Sequence, residues 1–117
     1  MARTTLTPEA EPTVNPLAEN TLAFTVADVA NGNQFAHTGR ELLIVENIHA
    51  TVAKTVTLQS VTINGRQDPK HNVAQSIPAL ERRAYGRFGE GWKQSDGYVY
   101  VNGESVDVKF CVITLAV

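Results

Sequence analysis

The sequence predicts an all-β domain, an antiparallel sandwich or barrel behind an extended N-terminal arm. Three observations carry this prediction. Short runs rich in Val, Ile, Thr and aromatic residues alternate apolar with polar side chains. Gly, Pro and Asn turn signals separate these runs at roughly regular spacing. No stretch holds the 3.6-residue repeat of an amphipathic helix.

The arm is residues 1–20, MARTTLTPEAEPTVNPLAEN, and the domain is residues 21–117. Pro8, Pro12 and Pro16 fall four apart, and proline with its preceding residue holds the chain extended. Leu6, Val14 and Leu17 are its sizeable apolar side chains, too few to offset the entropy of ordering. Two readings follow: a solvated tail, or an arm that orders on a partner. In the second, Leu6, Pro8, Val14, Pro16 and Leu17 make the contact.

The domain opens with LAFTVA, where Leu22, Phe24 and Val26 share the face of a half-buried strand. Asn31-Gly32-Asn33 reads as a turn. ELLIVENI, residues 41–48, carries four consecutive apolar residues and reads as a central strand covered on both faces. Lys54 to Ile63 is a strand whose phase shifts near Gln59-Ser60, which predicts a bulge, and Asn64-Gly65 ends it. RQDPKHNVAQSIPALERR reads as loop until a short strand resumes at Ala84-Tyr85 toward Phe88. GEGWKQSDG is a glycine-rich connection. Tyr98 to Val101 is a strand, Asn102-Gly103 a hairpin turn, and Val106 to Val117 the last strand, locked in the sheet.

The chain of 117 residues suits one domain. One cysteine excludes an internal disulfide and, with no charged-then-apolar leader, predicts synthesis in a reducing cytoplasm. Ten basic and twelve acidic side chains give a net charge of −2, not the basic footprint of a nucleic-acid binder. No apolar run approaches the ~20 residues of a membrane helix.

No residue pattern predicts catalysis, a cofactor or a metal. His37, His49 and His71 lie outside metal-site spacing, and the carboxylates are scattered. Cys111 has no neighbour in sequence that would activate it. GRFGEG lacks the Lys-Ser/Thr of a phosphate loop. Arg82, Arg83 and Arg87 form the basic cluster, either a solvated strand end or a contact with an acidic patch on a partner. Trp92, the single tryptophan, either caps the core or anchors an interface.

The order of these pieces carries a resemblance. A phenylalanine turn leads to Thr38-Gly39-Arg40 and ELLIVEN, then TVTLQSV, SIPALERRAYGRF, SDGYVYVN and a closing hydrophobic strand. This succession, from about Asn33 to Val117, resembles the small decoration, or cement, proteins of tailed-bacteriophage heads. Where such sequences usually carry glycine after Pro-Ala, this chain has Leu80 and Glu81. The resemblance implies an antiparallel β-sandwich of jelly-roll type on the capsid exterior, often a trimer. Its partners would be the major capsid protein and copies of itself, with no catalytic residue, cofactor, nucleic acid or membrane. A second reading is a tail or head-fibre module, or a carbohydrate-binding module touching the host through Tyr85, Trp92, Tyr98 or Tyr100. A cupin-like enzyme would need converging His and carboxylate ligands, which the spacing does not provide.

Overall fold

The run ELLIVEN forms a central strand of seven residues whose two faces have different jobs. In the computed structural model, which describes residues 3–10, 13–14, 17–18, 23–59, 73–86 and 88–115, Glu41, Leu43, Val45 and Asn47 are buried on one face. Leu42, Ile44 and Glu46 on the other are half-buried.

Four two-residue strands come first: β1 (Thr4–Thr5), β2 (Glu9–Ala10), β3 (Thr13–Val14) and β4 (Leu17–Ala18). The body follows with β5 (Thr25–Val26), β6 (Asn33–Ala36), β7 (Glu41–Asn47), β8 (Lys54–Leu58) and β9 (Val73–Ile77). After β10 (Arg82–Gly86), a 3-10 turn at Glu90–Trp92 precedes β11 (Tyr98–Gly103) and β12 (Val108–Thr114). One sheet has the order β1-β6-β11-β8-β9. The other runs β10-β7-β12, with β5 and β2 lying end to end along the far edge of β12. All pairings within the body are antiparallel, whereas β1 and β2 add in parallel.

The sheets pack face to face through Phe35, Val99 and Val101 on one side and Leu43, Val45 and Phe110 on the other, all 0% exposed. Asn47, also 0% exposed, ties strand ends together: its amide donates to the Val52 and Ile77 carbonyls at 3.0 and 2.9 Å. Its oxygen accepts from the His49 amide at 2.9 Å. A buried asparagine is tolerated here because its partners are backbone groups that would otherwise be unpaired.

Three sequence readings are corrected. VAQSI is a strand, not a loop; only Ile77 of its five residues is buried, so it carries no alternation to read. Asn102 and Gly103 continue β11, paired with Thr57 and Val56, and the turn falls at residues 104–107 with Val106 61% exposed. Gly103 is glycine because an added Cβ would lie 2.8 Å from that of Ala27. The LAFTVA strand shortens to Thr25–Val26, and Val26 shares the outward face of Lys109 while Ala27 enters the core. Tyr98 and Tyr100 lie on the outer face of β11, with Val99 and Val101 inward. The bulge near Gln59-Ser60 and the Asn64-Gly65 turn lie outside the described residues.

Residues 3–10 belong to the body. Between β1 and β2, Leu6 is 3% exposed and part of the core. Arg3 donates to the Asn102 side-chain oxygen at 3.1 Å and stacks over Tyr100 at 4.2 Å. The Thr4 hydroxyl donates to Asp28 at 2.6 Å. One flank of the sandwich is thereby closed on both sheets by the chain's own N-terminal segment.

Candidate functional site

Among the described residues the opposite flank is open. There β9 pairs with β8 and β10 with β7, and no described strand covers either outer edge. Register puts Val73, Gln75 and Ile77 on the inward face with Leu58 and Val56. On the other sheet Arg83 and Tyr85 share the inward face of Val45 and Leu43. Inward-facing residues of a closed sandwich are buried, yet Gln75 and Arg83 are exposed. The sheets diverge around a cleft of about 350 Å³ lined by Leu58, Val73, Gln75, Tyr85, Phe88 and Trp92, with Gly86 completing the wall. That volume is at the lower end for ligand sites.

The glycine-rich connection forms the cleft floor. Phe88 is 4% exposed and meets Phe35 edge-on, with ring centroids 5.5 Å apart and planes at 62°. Trp92 continues the series against Phe88 at 6.3 Å and 83°. An aromatic column therefore runs from the core to the cleft. The His37 imidazole donates through Nε2 to the Phe88 carbonyl at 2.7 Å, and Lys93 forms a bridge to Val99. Gly86 must be glycine: its φ is +153°, and an added Cβ would lie 2.7 Å from the Glu41 carbonyl oxygen.

Burial acts against the Glu41 charge, but the Thr38 hydroxyl and amide hydrogen bonds outweigh it and hold the carboxyl below its usual range. A lowered folded-state value means that ionised Glu41 stabilises the domain above the unfolded carboxyl pKa. That contribution is lost as pH falls through the folded value. Acid titrations of wild type and Glu41→Gln should therefore converge at low pH, the wild type losing more stability below about pH 4. Parallel curves would contradict this role.

The predicted contact residues fall into separate places. Arg82, on the outer face of β10, donates to Glu46 at 2.9 Å and lies 5.3 Å from the Phe24 ring. Arg83 pairs with Glu81 at 2.6 Å on the cleft rim. Trp92 is half-buried and packs against the core while lining the cleft. Leu6 is in the core of its own domain, and Pro8 is half-buried between β1 and β2. Val14 and Leu17 pair across the β3–β4 ladder, which joins neither main sheet. Pro16 and Arg87 lie outside the described residues.

No protein-family model, curated protein or solved structure matches this chain. Among the described residues no group of three His, Cys, Asp or Glu could hold a metal ion, and no helix is long and apolar enough to cross a membrane. Cys111 is 2% exposed; burial and the Glu9 carboxylate push its thiol up, away from the reactive thiolate. Sequence reading missed Gln75 because it sits on an edge strand with one buried residue. Tyr85 was legible as an aromatic, but nothing in its neighbours marked a cleft.

Proposed function

We propose that this chain is a head decoration protein of a tailed bacteriophage, a jelly-roll domain that binds the capsid exterior and stabilises the shell. The observation that carries the reading is strand order. From β5 to β12, one sheet takes β5, β12, β7 and β10 and the other takes β6, β11, β8 and β9, with every pair antiparallel. This order supports the jelly-roll reading, an architecture of two Greek keys common in viral capsid domains.

A local feature bears on the sequence resemblance. Leu80 has φ +62° and is 68% exposed. It occupies the position after Pro78-Ala79 where decoration proteins usually carry glycine, the residue suited to a left-handed turn. A left-handed turn here is compatible with the glycine usual at this position, although leucine departs from that pattern and holds the conformation at a cost.

In this reading the protein is non-catalytic and acts on the virion. Its partners are the major capsid protein and further copies of itself. Many weak contacts made at high effective concentration resist the strain of packaged DNA. Co-sedimentation with undecorated heads tests the reading: the full chain should pellet saturably, and failure to pellet would remove it. Truncation at Glu19 is unsuitable as a control, since it would delete β1, Leu6 and β2 from the body.

A second reading, a host-glycan-binding module of the virion, is favoured by the cleft, where Tyr85 and Trp92 stand with the Gln75 amide. Saturable glycan binding abolished by Trp92→Ala, without head binding, would select it.

A further inference from the structure

The exposed aliphatic side chains gather at one end of the sandwich. Among the described residues six large ones are exposed, and five of them lie on connections between strands: Val29, Ile48, Val52, Leu80 and Val106, at 41% to 68%. The connections are β5–β6, β7–β8, β9–β10 and β11–β12, each crossing from one sheet to the other. Strand direction brings all four to the same end. Exposed aliphatic side chains scattered singly need no explanation, but a group of this kind marks a contact surface.

Backbone hydrogen bonds join these connections in series. The Asn47 amide donates to the Glu81 carbonyl at 3.0 Å, Ile48 to Asp107 at 2.9 Å and Ala27 to Val108 at 2.9 Å. Each tip is also braced from within. The His49 ring accepts through Nδ1 from the Thr51 and Val52 amides at 3.1 and 3.0 Å, and the Asp28 carboxylate accepts from the Asn31 amide at 3.0 Å. Tips held in this way have little ordering entropy left to lose on docking. Leu80 goes further: it is the most exposed of the five and has φ +62°. A leucine kept both strained and in solvent points to a use for its side chain outside the domain.

Charge identifies the occupant. Residues 27–32, 48–53, 78–81 and 104–107 carry the carboxylates of Asp28, Glu81, Glu104 and Asp107 and no Lys or Arg. A membrane surface fits poorly, because these connections hold none of the Trp, Tyr, Lys or Arg that anchor at headgroups. Aliphatic tips set among carboxylates instead complement a protein surface that is apolar at its centre and basic at its rim. We infer that this end of the sandwich docks into an apolar recess bordered by Lys or Arg side chains on a partner protein, with Leu80 as the anchor. The inference rests on the decoration reading above, in which that partner is the major capsid protein, and it fixes which end of the sandwich faces the shell. Leu80 stands where decoration proteins usually carry glycine, so this anchor is particular to this chain.

Quantitative co-sedimentation of the full chain with undecorated heads tests it, with the melting temperature of each variant measured alongside. Leu80→Gly and Val106→Ser should each bind at least about tenfold more weakly. The melting temperature of Leu80→Gly should equal or exceed that of the wild type, because glycine takes the left-handed conformation at no steric cost. Ala36→Glu, exposed at the opposite end of β6, should bind as the wild type does. Glu81→Lys should weaken binding, and less so at high salt. Wild type that pellets together with fully binding Leu80→Gly and Val106→Ser would overturn the inference and leave the decoration reading standing. Wild type that does not pellet would remove both. Tighter binding by Glu81→Lys, or pelleting with phosphatidylcholine–phosphatidylglycerol vesicles in place of heads, would also overturn it. So would a Leu80→Gly variant whose binding falls only in step with its melting temperature, since the side chain would then serve the fold and not a contact.

Discussion

Replacing Phe35 with alanine is expected to destabilise the domain by about 3–5 kcal/mol, the usual cost of removing a buried aromatic ring. Phe35 is 0% exposed on β6, opposite Val99 on β11 and edge-on to Phe88. The loss should also reach the cleft, since Phe88 in turn supports Trp92. Urea unfolding followed by Trp92 fluorescence reads both effects. The midpoint should fall, and the native emission should shift red as the indole gains water. A loss below about 1 kcal/mol would mean that the aromatic column does not support the core.

Leu6→Ala should destabilise by about 2–5 kcal/mol, because Leu6 fills the closed flank between two added strands. The melting temperature should drop by about 10–20 °C. Residues 3–10 are thus part of the body of the sandwich. A drop of less than about 3 °C would contradict that role.

The body was legible where burial imposes a period. ELLIVEN, YVYV and VKFCVIT announced β7, β11 and β12 because a strand between two neighbours must place alternate side chains in the core. The edges were less legible. Only Ile77 of VAQSI is buried, so β9 left no pattern to find, and the cleft went unseen with it. In LAFTVA, Val26 points outward beside Lys109, and sequence alone does not give the sign of a face. Asn102-Gly103 has the composition of a turn, yet Gly103 serves the close approach of Ala27. The proline-rich composition of residues 1–20 hid the one leucine that closes a flank, since composition averages over residues with different fates. Arg82, Arg83 and Trp92 were found as a sequence cluster, and the fold sets Arg82 outward, Arg83 on the cleft rim and Trp92 in the cleft floor.

The most direct test of the account is thermal rupture of DNA-filled heads, stripped of decoration and then titrated with the full-length chain. A decoration protein should bind to a fixed stoichiometry, and the temperature of DNA release should rise with occupancy until the sites are filled. Heads that release DNA at the same temperature at every protein concentration would contradict the central claim.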